Sequence, residues 1–326
     1  MYNFGMEVAL PSSRQHIRPL RSRKDILAVA DLIEICFADH MDFDGREYIR
    51  YLRRFAVPDE GLTGKILEPF QVPVRGLVWE EDGQIVGNLS LISFNRQGKR
   101  YTLIANVATH PAYRRRGIAR LLTENALQQI RERGEPEAWL HVREDNPAAI
   151  HLYQSLGFEE QCRRTSWLWE PHYGFLPKVS SEKIRVMHRQ ASDWPLQSRW
   201  LDEIYPPEIS WNLSLDKNRL KPNFWKDLWR WLNGGEALHL SAYRDDSLAG
   251  VISWQPTSAY ADILWLAADR QYEEEIITVL LPAAGRRLRN GRPLAVNYPA
   301  QRAIEGFRRA GFQPHVTLIW MRIQLS

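Results

Sequence analysis

Apolar positions recur through the first half of the chain with two alternating periods, and they predict helices interleaved with strands. Residues 24–37 set Ile26, Ala30, Ile33 and Phe37 along one helical stripe, and residues 44–55 set Tyr48, Tyr51 and Leu52 on one face of a second, more charged helix. A short strand is expected over 16–20, and residues 77–79 and 85–93 form a hairpin about Glu81, Asp82 and Gly83. Strand 101–108 leads through a proline turn into a helix over 117–133. A strand over 139–142, a helix over 147–155 stopped by Gly157, and a strand over 164–169 follow. This order is that of an α/β fold around a mixed sheet.

The pattern then begins again. Residues 170–182, with two prolines, a glycine and two serines, read as a linker, and a strand over 183–188 opens a second copy. Residues 263–281 lie over 104–122 without a gap, pairing Tyr272 with Tyr113 and Leu280-Leu281 with Leu121-Leu122. Residues 303–312 lie over 149–158 and end on the same Gly-Phe pair, while the hairpin at 244–250 echoes 81–87. A chain of 326 residues suits two domains, expected at 1–172 and 180–326, each large enough for its own core. Between Trp194 and Trp231 lie six tryptophans, with Trp225, Leu228, Trp229 and Leu232 at helical spacing, a stripe expected to pack against a sheet or the other domain.

The chemistry of the two copies differs at one turn. In the first, an apolar strand runs into Arg114-Arg115-Arg116-Gly117-Ile118-Ala119. A helix that starts on a glycine-bearing turn presents unpaired N–H groups and the positive end of its dipole, an anion site. Gly117 and Ala119 leave room for a pyrophosphate at the backbone, and three arginines surround that approach with charge. The expected ligand is a nucleotide-like cofactor. In the second copy the same positions read Glu273-Glu274-Glu275-Ile276, three carboxylates that repel phosphate and a branched side chain where backbone must come close. Phe307 stands for Tyr153 there, and Ala300 for Asn146.

Arg114, Gly117 and Ala119 match the signature of the GNAT superfamily of acetyl-CoA-dependent N-acetyltransferases: Arg or Gln, two free positions, Gly, one free position, then Gly or Ala. Residues 145–158 resemble the family's second motif, a helix that carries Asn146 and Tyr153 and closes on Gly157-Phe158. The resemblance implies two tandem GNAT acyl-CoA N-acyltransferase domains, the first catalytic and the second degenerate, with acetyl-CoA as cosubstrate. It implies cofactor contacts from Val107, Ala108, Thr109, Arg114, Arg115, Arg116, Gly117, Ile118, Ala119, Arg120 and Asn146. In the family the pantetheine arm enters between two splayed strands, and Tyr153 stands where the family places its phenolic acid. The segment Trp139-Leu140-His141-Val142-Arg143 is similar to that of ribosomal-protein alanine N-acetyltransferases, in which a glutamate twelve residues before the tyrosine is the base. His141 occupies that position, and imidazole titrates near neutral pH. Asn106, Glu34 and Glu80 are the other candidates, Asn106 as a group that orients water.

Acetyl transfer needs a neutral amine to attack the thioester and an acid for the departing thiolate. The expected acceptor is a small-molecule or peptide amine, reached by direct attack in a ternary complex. A non-catalytic acetyl-CoA-binding regulatory module is the competing reading. Retention of Asn146, Tyr153 and the whole arginine-glycine turn in one copy only favours the enzyme.

Composition narrows the classes further. With 44% hydrophobic and 25% charged residues the chain has the balance of a soluble globular protein. A net charge of +4 without a basic stripe interleaved with aromatics gives no expectation of nucleic-acid binding. No run of about 18 apolar residues and no apolar segment in the first 23 residues lead to the expectation of no membrane insertion and no secretion. Cys36 and Cys162 have no metal-ligand spacing and are too few for a disulfide framework, so no metal and a reducing cytoplasm are expected. Oligomeric state is left open.

Overall fold

The computed structural model describes residues 16–21, 23–56, 75–96, 99–174, 176–178, 181–213, 215–223, 238–288 and 291–325. The Trp225 to Leu232 stripe lies outside the described residues. The chain forms two compact units, one of Met1–Gln161 with Ile319–Ser326 and one of Cys162–Leu318. The expected repeat of a mixed α/β fold is present in both.

The first unit runs β1 (Ile17–Pro19), α1 (Arg23–Phe37), α2 (Phe43–Ala56), β2 (Gly76–Glu81), β3 (Gln84–Arg96), β4 (Lys99–Thr109), α3 (Ile118–Glu132), β5 (Glu137–Arg143) and α4 (Pro147–Ser155). β1 through β4 are antiparallel neighbours in chain order, and β5 lies parallel to β4. Alternation in β2 sends Leu77 and Trp79 to one face and Val78 to the other. On the first face α3 buries Ile118, Leu122, Ala126 and Ile130 against Leu89, Ile104 and Leu140. On the opposite face α1 and α2 bury Ile26, Val29, Ile33, Ile49 and Leu52 around Val78. Gly87 lets α3 approach, since a Cβ there would stand 2.8 Å from the Ile118 side chain and 2.9 Å from Trp79 Cβ.

The second unit contains β6 (Glu159–Trp169, from Cys162 onward), β7 (Ile184–His188), α5 (Trp194–Ile204), the short helices α6 (Pro207–Ser210) and α7 (Lys217–Leu220), β8 (His239–Arg244), β9 (Ser247–Gln255), β10 (Asp262–Ala268), α8 (Glu273–Arg287), β11 (Leu294–Pro299) and α9 (Ile304–Arg309). Its strand order is β6-β11-β10-β9-β8-β7, with β10 parallel to β11. α8 buries Ile276, Ile277, Leu280, Leu281 and Ala284 as α3 buries its stripe. Gly250 faces Ile276 as Gly87 faces Ile118, so the same close approach is built twice.

The units do not follow the expected domain limits of 172 and 180. Strand 164–169, expected to close the first domain, pairs with β11 from Arg164–Pro299 to Trp169–Leu294. Buried Arg164 fixes that placement by donating to the Asn297 side chain and to the Ile204 carbonyl at 2.8 Å. The last strand, β12 (Gln313–Gln324), ends in the first unit beside β5. There Ile319, Met321 and Leu325 join the core of Ile118 and Tyr153, and Leu325 N donates to Pro136 O at 2.9 Å. The expected linker is also packed: Leu176 is buried in the second unit's core, against Gly285.

Candidate functional site

β4 and β5 pair over only three residues, Thr102–Ala138, Leu103–Trp139 and Ile104–Leu140, although β4 continues to Thr109 and β5 to Arg143. Past that point the strands are unpaired with each other, so backbone groups of Val107, Ala108 and Thr109 line an opening. A bulge marks where it begins. The β3–β4 register slips between Asn88 and Ser90, and Asn106 on the bulged strand has φ +51°. Thr109 Oγ1, on the last residue of β4, is buried without a partner among the described residues.

Beyond Thr109 the turn predicted from the arginine run takes shape. His110 Nδ1 accepts from Ala112 N at 3.3 Å and caps a 3-10 turn over Pro111–Tyr113. Arg115 has φ +66° and Gly117 φ +79°, so the chain doubles back before α3. Nothing lies within 4 Å of where a Gly117 Cβ would be. The α3 N-terminus has no side-chain cap and no acidic residue in its first turn, leaving its amides and dipole for an outside anion. Arg114, Arg115 and Arg116 are all exposed around it. Arg114 Nε donates to Thr109 O at 3.4 Å, and Arg116 pairs with Glu81 at 3.2 Å while lying over the Tyr113 ring at 4.8 Å. Arg120 donates to Ser155 Oγ at 2.6 Å and so ties α3 to α4.

Asn146 caps α4, its Oδ1 accepting from Ala149 N at 3.1 Å, a bond that leaves both amide hydrogens of its carboxamide unused by the cap. One helical face brings Tyr153 into the core, edge-on to Phe158 with centroids 5.9 Å apart. Burial pushes its hydroxyl up to about 12, and no group among the described residues hydrogen-bonds it. A phenol in this state stays protonated and has its hydrogen to give.

His141 differs from expectation. On β5 it points away from Leu140 and Val142 and packs on Trp320, ring centroids 4.1 Å apart. Desolvation lowers it to about 3, so the imidazole has little affinity for a proton at neutral pH and its surroundings do not favour the expected base. Glu34 and Glu80 are engaged as well, with Arg53 and Arg18 respectively, each at 2.5 Å.

Asn106 has a setting that the sequence reading passed over. Its Nδ2 donates to Tyr48 Oη at 2.9 Å and, more weakly, to Ser90 Oγ at 3.4 Å, while Asn88 Nδ2 donates to the Asn106 carbonyl at 2.9 Å. Asn88 and Ser90 are 1% and 2% exposed. Two polar residues at i and i+2 within the otherwise apolar run 85–92 are the available signal.

The second unit shows what became of the turn. α8 starts at Glu273, the position of Arg114, whereas α3 starts at Ile118. The turn has become one more turn of helix, its dipole met by Glu273, Glu274 and Glu275. Buried Glu273 accepts from Tyr298 Oη and from Arg302 at 2.5 Å, and Arg244 pairs with Glu275 at 2.5 Å. A cavity of about 450 Å³ remains at this helix head, but these carboxylates line it. Phe307, at the Tyr153 position, stacks on Trp167 at 4.6 Å and meets Tyr298 edge-on.

Among the described residues no cluster could hold a metal ion, and no helix is long and apolar enough to cross a membrane. Residues 42–158 match the Acetyltransferase (GNAT) family model. An acetyltransferase of Yersinia pestis (strain Pestoides F) is 38% identical over 115 residues, 35% of this chain and 77% of that protein. The [ribosomal protein bS18]-alanine N-acetyltransferase of Escherichia coli (strain K12) is 44% identical over 62 residues, 19% of this chain, and the chain spans 42% of that enzyme's length. A tandem GNAT protein from the clavulanic acid biosynthesis pathway shares the fold over 95% of this chain and 99% of its own, with a TM-score of 0.54 at 16% identity. By these likenesses, and with the fold repeated along its length, the chain belongs to the GNAT family of acetyltransferases.

Proposed function

We propose that the first unit transfers the acetyl group of acetyl-CoA to a primary amine, and that the second unit has no such site. The observation that supports this best is the uncapped, acid-free head of α3 at the mouth of the β4–β5 opening, against the glutamate-capped head of α8. The α3 amides and Arg114 to Arg116 would hold the pyrophosphate, and the free backbone edge of Val107 to Thr109 would pair with the pantetheine amides like an added strand. Bound acetyl-CoA supplies an activated acetyl group. The acceptor nitrogen bonds to the acetyl carbon, the carbon–sulfur bond breaks, and the amine proton leaves to water.

Tyr153 lowers the cost of the sulfur's departure. A phenol near 12 does not fully protonate a thiolate, whose own pKa is about 8.5, so its contribution is a hydrogen bond that strengthens as charge grows on sulfur. Solvent completes the protonation. The likeness to an alanine N-acetyltransferase makes a peptide N-terminus the first acceptor to try, followed by polyamines and amino sugars. The test is thiol release from acetyl-CoA across such a panel. Acetylated product from at least one amine supports the reading, and binding of acetyl-CoA with no amine consumed supports the regulatory module instead.

A further inference from the structure

The Asn106 network has a shape that packing alone does not require. A non-glycine residue with φ near +50° is held in a sparsely populated conformation, and such strain persists where surrounding bonds enforce it. Here they do: Asn88 grips the Asn106 carbonyl, and Tyr48 and Ser90 take the two hydrogens of its carboxamide. That leaves Oδ1 as an acceptor with no donor among the described residues, two positions past the last β4–β5 pair. Tyr48 comes from α2, so the carboxamide is held from the α1–α2 side of the sheet while the arginine turn lies at the end of β4.

We propose that Asn106 is the acceptor-positioning residue: its Oδ1 accepts a hydrogen from the incoming primary amine, and Tyr48 fixes the carboxamide that does so. A neutral amine has two N–H groups and one lone pair. Holding one N–H on a rigid acceptor turns the lone pair toward the opening and removes the rotational freedom of the attacking group. A carbonyl oxygen also suits the ammonium form that arrives from solvent, because it is an acceptor that carries no charge to be neutralised. Hydroxyl and thiol acceptors bring a single hydrogen and no cation, so the site favours amines. This rests on the transferase reading above.

Three variants of the full chain test it: Asn106→Gly, Asn106→Asp and Tyr48→Phe. Glycine keeps the positive φ without strain and removes the carboxamide, and aspartate keeps an acceptor oxygen in a residue that tolerates this conformation. The probes are acetyl-CoA with a short peptide bearing N-terminal alanine, and acetyl-CoA with spermidine. Asn106→Gly is expected to lose about thirtyfold in kcat/KM for the amine that wild type uses, mainly through KM, at unchanged acetyl-CoA affinity. Asn106→Asp should recover most of that loss, and Tyr48→Phe should cost about fivefold. Asn106→Gly within about threefold of wild type, or Gly and Asp equally impaired, overturns the proposal while leaving the transferase reading intact. Wild type that consumes no amine overturns both.

Discussion

Removing the Tyr153 hydroxyl separates catalysis from binding more cleanly than any other change in the first unit. The side chain is 6% exposed, its ring packs edge-on against Phe158, and its hydroxyl has no partner among the described residues. Phenylalanine therefore keeps the packing and deletes no hydrogen bond among the described residues, so Tyr153→Phe should be about as stable as wild type. Under the proposed role it removes a hydrogen bond to a sulfur that is becoming an anion, an interaction of about 1.5–3 kcal/mol, or roughly ten- to 150-fold in kcat. Acetyl-CoA affinity should stay within about twofold, because the bond strengthens only as charge develops. The assays are steady-state thiol release, calorimetric titration of acetyl-CoA and a thermal melt. A kcat within twofold of wild type, or a lost kcat matched by an equal loss of affinity, would refute the role assigned to the phenol.

Charge reversal of Arg114 and Arg116 to glutamate should weaken acetyl-CoA binding at least about a hundredfold, since attraction at the α3 head becomes repulsion; calorimetry reads it. Met321→Ala should destabilise the first unit by about 2–5 kcal/mol, because Met321 is fully buried in its core although it lies five residues from Ser326; urea unfolding checks it. His141, held near 3 when folded against about 6.5 in an unfolded chain, binds fewer protons in the native state, so stability falls as pH drops from about 6.5 toward 3. His141→Gln should flatten that part of the melting-temperature profile relative to wild type and leave the neutral limb of the rate profile in place.

The arginine-glycine turn was legible because it depends on neighbours in sequence: only a glycine takes φ +79° at the head of α3 without strain, and a charged run beside it has one obvious use. The repeat was legible for the same reason, its Tyr-Leu-Leu and Gly-Phe pairs being local. Strand partnership is not local. Nothing in residues 164–169 says that they pair with β11, nor in 319–325 that they pack beside β5, because a strand specifies a face and leaves its neighbour open. Deleting residues 180–326 would thus remove a strand of the first unit and could not isolate it. The setting of His141 is not local either: its ring packs on Trp320, far away in sequence, and desolvation lowers it from an ordinary imidazole's range. Tyr48 was visible as part of a helical stripe, but its bond to Asn106 needed the bulge to be seen.

On the proposed function the first unit holds acetyl-CoA, and the second has closed the same turn with its own carboxylates. The decisive measurement is calorimetric titration of the full chain with acetyl-CoA, with thiol release followed beside it in a variant in which Glu273, Glu274, Glu275 and Ile276 become three arginines and a glycine. One molecule bound per chain is expected in wild type, and the variant is expected to release no thiol at its second unit, because Phe307 and Ala300 stand where the first unit has Tyr153 and Asn146. Two equal sites in wild type, or one site that survives charge reversal of Arg114 and Arg116, would contradict it.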